Sequence, residues 1–419
     1  MKMKKVVVSG MIGNALEWYD YALYGHFAAI ISVLYFPSES VYISMISTFG
    51  VFAAGFLMRP VGAIFFGFIG DRYGRKAALS LAILMMAIPT GCIGILPTYA
   101  QIGIWAPILL TIIRLLQGLS LGGEFSGAIT FVAEHAPANK RGFAACSAIF
   151  SAAVGTLMGS LVAAGLSQMM SPEFFAVWGW RIPFVVGLMI GLVGMYIRTQ
   201  LDESPHYEEA KAKGKLSKTP LRTAFKQYPV EMLQAVGIYL TVTVPFYVLV
   251  VFFNSFTSKI LGYSVSDSLL MNSSAMLMLM ATIPFSGYYC DKVGRKPILI
   301  AGAIGFAVFS YPIFLFLTTG GFWGALFAQV AFALLVGIFT GPIPAVLVEM
   351  FPTSIRYTGM SLAYNVSATV FGGTAPIVST WLVKETGNKA IVAFYIMLCA
   401  VITLFRLYFF KDRYKAKLR

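Results

Sequence analysis

Twelve stretches of mostly apolar residues run along this chain, separated by shorter polar segments. Their approximate bounds are 9–35, 43–70, 77–97, 103–134, 143–168, 181–200, 229–260, 268–290, 297–318, 322–349, 358–384 and 389–410. A helix needs about 20 such residues to cross the hydrocarbon core of a bilayer, and each stretch is about that long or longer. The only long polar segment, 201–228, leaves six stretches on either side. The pattern predicts an all-α membrane protein with twelve transmembrane helices. Residues 1–200 form one six-helix bundle, 201–228 a loop, and 229–419 a second six-helix bundle with a short basic tail. Within the loop, Glu208-Glu209-Ala-Lys211-Ala-Lys213-Gly-Lys215 reads as a solvated, partly helical tether.

Composition agrees with lipid as the solvent. The chain is 58% hydrophobic and only 11% charged, where soluble domains carry about 25% charge. The net charge of +14 raises the question of nucleic acid, and its placement answers it. With the N-terminus placed in the cytoplasm, 25 of the 31 Lys and Arg fall on that side. Arg181, Lys259, Lys384 and Lys389 fall outside, and Arg59 and Arg114 lie within helices. This is the positive-inside bias that sets membrane topology, so both termini are expected in the cytoplasm and no nucleic-acid partner is expected. The run after Met1 differs from a cleaved signal peptide, because Glu17 and Asp20 interrupt it and it is too long. Cys92, Cys146, Cys290 and Cys399 lie in or beside apolar stretches without metal-ligand or disulfide spacing, and no metal site is expected.

The chain also repeats itself. Gly67-Phe-Ile-Gly-Asp71-Arg-Tyr-Gly74-Arg75-Lys76 returns 220 residues later as Gly287-Tyr-Tyr-Cys-Asp291-Lys-Val-Gly294-Arg295-Lys296. A second pair, Glu134-His-Ala-Pro137 with Arg141-Gly142 and Glu349-Met-Phe-Pro352 with Arg356 and Gly359, recurs at an offset of 215. Two motif pairs at nearly one offset make the bundles pseudo-symmetric, a known transporter construction. Glycines 67 and 287 permit close helix contact, and Gly74 and Gly294 suit a tight turn. Asp71 and Asp291 stand where a carboxylate caps a helix N-terminus or pairs with an arginine. Glu134, like its repeat partner Glu349, is expected at a helix end in a structural role.

Two polar stripes interrupt the apolar helices of the first half. At 100° per residue, Asn14, Glu17, Asp20, Tyr21 and Tyr24 share an arc of about 120°. Arg114, Gln117 and Glu124 share about 80° on the fourth helix. Intramembrane acids are costly and usually face a cavity with a function. Glu17, Asp20 and Glu124 are therefore candidates for proton coupling, against the plainer reading of structural hydrogen bonds. Arg114 has two readings: a bidentate partner for a substrate carboxylate, or the counter-charge of Glu124, Glu17 or Asp20 on a neighbouring helix. Arg59 is either a buried structural arginine or a ligand contact. In the second half Tyr239, Tyr247, Asn254, Tyr364, Asn365 and Ser367 are candidates for a cavity or for helix-packing hydrogen bonds. Pro245, Pro284, Pro342, Pro344 and Pro376 are candidate breaks or kinks.

The doubled loop resembles the signature of the major facilitator superfamily. Gly13-Asn14 with Glu17-Trp18-Tyr19-Asp20, Gln117-Gly118 with Gly122-Gly123-Glu124, Trp178-Gly-Trp180-Arg181-Ile-Pro183-Phe184 and Glu203-Ser-Pro205 resemble the metabolite:proton symporters within it. Ile102-Gly-Ile-Trp-Ala-Pro107 and Met350-Phe-Pro352-Thr with Ile355-Arg356-Tyr357 are similar to proline/glycine-betaine transporters and 2-oxoglutarate permeases. The resemblance spans nearly the whole chain. It implies that Asp71, Arg75, Asp291 and Arg295, with Gly67, Gly74, Lys76, Gly294 and Lys296, form a cytoplasmic gate. It also implies proton-coupled uptake of a small carboxylate-bearing metabolite across a bacterial inner membrane, by a monomer that uses the proton gradient and no cofactor. A substrate site between the halves would draw on Asn14, Tyr21, Tyr24, Arg59, Arg114, Gln117, Tyr247, Asn254, Tyr364 and Asn365. A di- or tricarboxylate symporter and an uncoupled facilitator are the alternatives. Osmosensory relatives can carry a C-terminal coiled coil, whereas this sequence stops at Arg419 without heptads, so that mode of regulation is not expected. No nucleophile–base constellation or phosphate loop is present, so an enzyme or ATP-driven pump is not expected.

Overall fold

A computed structural model describes residues 2–419 except Ser40, Lys215, Lys218, Lys415 and Arg419. Lys215, part of the charged run in the central segment, lies outside the described residues. All regular structure among the described residues is helical. The principal elements are α1 (Lys2–Tyr35), α2 (Val41–Leu57), α3 (Arg59–Arg72), α4 (Arg75–Ile95), α5 (Trp105–His135), α6 (Ser147–Met169), α7 (Ile182–Thr199), α8 (Pro229–Tyr247), α9 (Val265–Val293), α10 (Arg295–Thr319), α11 (Gly321–Thr340), α12 (Ile343–Met350), α13 (Arg356–Ser367), α14 (Ala375–Thr386) and α15 (Val392–Phe409).

These elements fall into the twelve segments read from the apolar pattern. Ten are long and apolar enough to cross a membrane among the described residues; the other two segments are α1 and the α2–α3 pair. The second segment, expected as one helix over 43–70, is broken at Met58. Pro60 follows in the first turn of α3, where its missing N–H costs nothing. Of the prolines expected to break helices, Pro342 sits at the break between α11 and α12 with Pro344 in the turn after it, whereas Pro284 lies inside the unbroken α9. Pro245 precedes a π-helical turn over Val248–Phe252, and Pro376 follows another over Ala368–Gly372. A third covers Phe256–Ile260. The seventh and eleventh segments thus carry the π-turns, which often accompany functional sites.

The chain forms two compact units. The first holds residues 1–135, 151–222 and 353–362; the second holds 136–150, 223–352 and 363–419. Each unit therefore takes a short segment from the other half of the sequence.

In the first unit α4 packs on α5 and α7, and α5 packs on α1, α2 and α3. Leu16, Leu23, Phe27, Ile83, Met86, Leu110, Trp180 and Phe184 form its apolar core. Two glycines on one face of α5 bring backbones together. A Cβ on Gly118 would overlap the carbonyl of Gly55, and one on Gly122 the backbone around Arg59 and Gly62. Such close approach replaces hydrophobic drive, which is absent between helices in lipid. In the second unit α11 packs on α9 and α10, and α15 on α8 and α10. Phe253, Phe306, Phe314 and Phe332 fill the middle with rings in contact.

Both units are polar within and apolar without. Phe65, Ile112, Leu116, Met189 and Val193 of the first, and Ile304, Val308, Phe309 and Leu398 of the second, are exposed. Glu17, Asp20, Arg59, Arg114, Glu124 and Arg198 are buried. Surfaces of this kind suit lipid, not water.

The central segment is solvated only in part. It carries two short helices, Pro205–Ala212 and Pro220–Gln227, but its start is no solvated tether. Leu201, Ser204 and Tyr207 are buried, and the Tyr207 hydroxyl donates to the Arg72 carbonyl at 2.8 Å. The charged run itself is exposed, with a Lys213–Glu209 ion pair on its surface.

Gly118→Val is expected to destabilise the first unit by roughly 1–3 kcal/mol, because two branched methyl groups must enter a backbone-to-backbone contact. A thermal melt of the purified variant that coincides with the wild type would refute the close approach.

Candidate functional site

The first stripe closes around one ion pair. Arg114 Nη1 donates to Asp20 Oδ2 at 2.5 Å and to Gln117 Oε1 at 2.7 Å. Asp20 Oδ1 accepts from Gln117 Nε2 and from Thr90 Oγ1, each at 3.1 Å, and Gln117 also donates to Thr90 at 2.8 Å. Asp20 and Gln117 are fully enclosed. The Arg114 guanidinium lies 3.8 Å from the Tyr24 ring centroid, a cation–π contact strengthened by exclusion of water. Nε and Nη2 of Arg114 have no hydrogen-bond partner among the described residues. Arg114 also lines a cavity of about 10 Å³ with Tyr21, Gly55, Met86, Gln117, Gly118 and Leu121, room for about one water. Tyr21 is also in ring contact with Trp18 and Phe56.

The open choice for Arg114 thus resolves towards Asp20 as its partner. Asn14, on the same stripe, donates to Ser151 Oγ at 3.1 Å. Glu17 is buried, and neither of its oxygens has a hydrogen-bond partner among the described residues. Arg59 is buried at the start of α3, with its guanidinium 5.5 Å from the Phe56 ring.

Glu124 is held elsewhere. Both its oxygens accept from Arg198, whose guanidinium also donates to the carbonyls of Ser9 and Leu79. Gly13 makes room for this pair, because a Cβ there would overlap both side chains. Arg198 is not among the site candidates read from the sequence. It is buried in the last turn of α7, and a charge inside an apolar run calls for a counter-charge; that signal was present in the sequence.

The doubled loops build two matching clusters. In the first unit Asp71 Oδ1 accepts from Arg75 at 3.0 Å, and its carboxylate also accepts from the backbone N–H of Tyr357 and Thr358 at 3.1 and 2.9 Å. Arg75 continues to Glu134 at 3.3 Å and to the Thr353 carbonyl at 2.7 Å. Arg356 reaches Glu134 at 2.5 Å. In the second unit Asp291 accepts from Arg295 at 2.7 Å and from the N–H groups of Gly142 and Phe143, each at 2.8 Å. Glu349 accepts from Arg295 at 3.0 Å and Arg141 at 2.8 Å. Asp71 and Asp291 therefore cap a helix start and pair with an arginine at once. Gly74 and Gly294 sit at φ of 112° and 103°, where a Cβ would be strained. A Cβ on Gly67 would overlap Thr358.

A third layer was not anticipated. Glu203 accepts from the N–H groups of Arg75 and Lys76 and so caps α4. Burial pushes its carboxyl up from the usual range, against the lowering by the amides of Ser204, Lys76 and Arg75. Asp412 accepts from the Lys296 N–H and caps α10 in the same way. Tyr207 and Tyr414 lie under Arg75 and Arg295 at 5.2 and 5.9 Å. Lys76 and Lys296 donate to the carbonyls of Thr199 and of Tyr408 and Phe410.

The remaining candidates belong to the second unit. Tyr364 meets Tyr239 edge-on at 5.1 Å, Asn365 is fully buried, and Ser367 is 3.3 Å from Thr243. Tyr247 and Asn254 flank the first π-turn and are half-buried. Among the described residues no group of three His, Cys, Asp or Glu side chains is placed to hold a metal.

Comparison with known proteins gives a consistent result. Residues 6–242 match the family described as "Sugar (and other) transporter", and residues 238–419 match "Major Facilitator Superfamily". A proline/betaine transporter of Salmonella typhimurium is 36% identical over 96% of this chain and 82% of its own length. A glycine betaine/proline/ectoine/pipecolic acid transporter of Dickeya dadantii is 34% identical over 98% of this chain and 84% of its own. The solved structure of the proton:xylose symporter XylE from E. coli superposes with a TM-score of 0.82 at 18% identity, covering 98% of this chain and 96% of that one. The chain is thus a multi-pass membrane transporter, not an enzyme.

Arg198→Ala is expected to cost roughly 3–5 kcal/mol, because it strands the Glu124 charge in the interior. The double variant Arg198→Leu with Glu124→Leu should recover most of that loss. Denaturation of the purified proteins measures both, and an Arg198→Ala variant as stable as the wild type would remove the pair from the argument.

Proposed function

We propose that this chain, which belongs to the major facilitator superfamily, is a proton-coupled symporter that takes up a small carboxylate-bearing osmolyte of the proline/betaine type through a bacterial inner membrane. The observation that carries this reading is the buried Asp20–Arg114 pair, in which two guanidinium nitrogens have no hydrogen-bond partner among the described residues and Arg114 lines a cavity.

The pair links the two passengers chemically. A substrate carboxylate seeks the same bidentate fork that Asp20 occupies. It displaces Asp20 at low cost only if Asp20 takes up a proton, since an ionised Asp20 without its arginine would be stranded. A proton on Asp20 and a carboxylate on Arg114 conserve the charge at the pair itself, and the ammonium group of a zwitterionic substrate adds one positive charge that aromatic faces can receive. Loading one passenger therefore favours loading the other. Gln117 and Thr90 each donate and accept hydrogen bonds, so they serve either protonation state of Asp20.

Tyr21, which lines the cavity and is in ring contact with Trp18 and Phe56, supports an osmolyte over a dicarboxylate. Aromatic faces receive quaternary or secondary ammonium groups, which proline and betaine carry and organic diacids lack. The Asp71 and Asp291 clusters are the devices that hold or release residues 353–362 and 136–150 during the cycle.

Radiolabelled proline and glycine betaine should accumulate in proteoliposomes under a pH gradient that drives protons in the direction of uptake. Asp20→Asn and Arg114→Lys should each lower that accumulation by about tenfold or more, the loss expected when a bidentate, charge-balanced contact is removed. Equal accumulation with the gradient collapsed would make the protein an uncoupled facilitator. Uptake of citrate or 2-oxoglutarate in place of the osmolytes would overturn the substrate class.

A further inference from the structure

The two polar stripes of the first unit bury Glu17, Asp20 and Glu124, and these acids are not equivalent. Asp20 is paired with Arg114 and Glu124 with Arg198. Glu17 is 1% exposed, and neither oxygen has a hydrogen-bond or ion-pair partner among the described residues. The charged groups around it are Arg59 at the start of α3, Glu124 on α5, and Asp20 one turn along its own helix.

An isolated carboxylate removed from water costs far more than a neutral carboxylic acid in the same place, and such a group keeps its proton instead of its charge. Two of the three charges facing Glu17 are negative, which adds to the penalty for a third. Asp20 and Glu124 escape it because each has an arginine within hydrogen-bond distance.

We propose that Glu17 is a second proton-binding residue of the carrier, holding a proton whenever Asp20 is closed on Arg114. This rests on the proton-coupled reading above and adds a site to it. Glu17 and Asp20 lie three residues apart on one face of α1, about 4.5 Å of axial rise. While Arg114 grips Asp20, the proton resides on Glu17. When a substrate carboxylate takes Arg114, Asp20 becomes the second acceptor. Glu124 takes no part, because Arg198 is fixed on it by further bonds to the Ser9 and Leu79 carbonyls.

The test is infrared spectroscopy of the full-length protein in liposomes at neutral pH without substrate, read at the C=O stretch of protonated carboxyl groups. The wild type and Glu124→Gln should show the band, and Glu17→Gln should lose it. Glu17→Asp keeps a carboxyl and should keep a shifted band, which decides the matter if the Gln variant does not fold. Absence of the band in the wild type, or its persistence unchanged in both Glu17 variants, would overturn the proposal. A parallel measurement follows proton uptake when proline or glycine betaine is added; Glu17→Gln should take up as many protons per substrate as the wild type, because Glu17 already carries its proton, and a smaller uptake by Glu17→Gln would overturn the proposal. A wild type that moves no protons with either osmolyte would defeat the symport reading while leaving the infrared result on Glu17 to stand by itself.

Discussion

The structure depends on the pairing of buried arginines with buried carboxylates. Lipid offers no hydration, so a charge inside a helical bundle must meet its opposite there or be neutral. Asp20–Arg114 joins α1 to α5, and Glu124–Arg198 joins α5 to α7. Glu134 gathers Arg75 and Arg356, and Glu349 gathers Arg295 and Arg141. Each pair is cheap to keep and expensive to break from one side. Apolar packing between helices discriminates little in lipid. These pairs, with glycine contacts such as Gly118 on Gly55, therefore select which helices meet.

The same pairing explains the two offsets in the internal repeat. The loop carrying Asp71 and Arg75 recurs at 220 residues, and the segment carrying Glu134 and Arg141 recurs at 215. The copies differ in the length between them, yet the partners converge. Arg75 also donates to the Gly70 carbonyl and Arg295 to the Cys290 carbonyl, again 220 residues apart. In each cluster an aspartate receives two N–H groups from the first turn of a helix whose sequence lies in the other half. A carboxylate there meets both unsatisfied donors and the positive end of the helix dipole. The sequence exchange between the two compact units is therefore anchored by groups that form strong, specific contacts with few residues.

Much of this was legible in the residues alone. Apolar runs of spanning length reveal helices because lipid permits little else, and the doubled loop revealed the halves. Breaks were less legible. Pro284 leaves α9 assigned as one helix, while the break at Met58–Pro60 falls in a stretch that reads as continuous, because neighbouring helices decide whether a freed carbonyl finds another donor. Partner choice was the least legible. Arg114 had three candidate acids, and only the packing of α1 on α5 selects Asp20. Arg198 was not among the candidates, although its place at the end of an apolar run marked it. Glu203, Asp412, Tyr207 and Tyr414 carry no local sign of their roles, since each acts on a helix start more than a hundred residues away in sequence.

What separates a structural pair from an exchangeable one is how the arginine is held. Arg198 spends its N–H groups on Glu124 and on two backbone carbonyls, so a substrate anion would find no free donor and would have to break several bonds at once. Arg114 directs one nitrogen to Asp20 and Gln117, leaves Nε and Nη2 without partners among the described residues, and rests against the Tyr24 ring. A cation–π contact is tolerant of rotation in a way that a hydrogen bond is not. A carboxylate entering the cavity gains two unused donors before it costs Asp20 its one. That asymmetry makes Asp20–Arg114, more than Glu124–Arg198, the pair that fits the proposed exchange of a proton and a substrate, although both pairs join an acid to an arginine in the same interior.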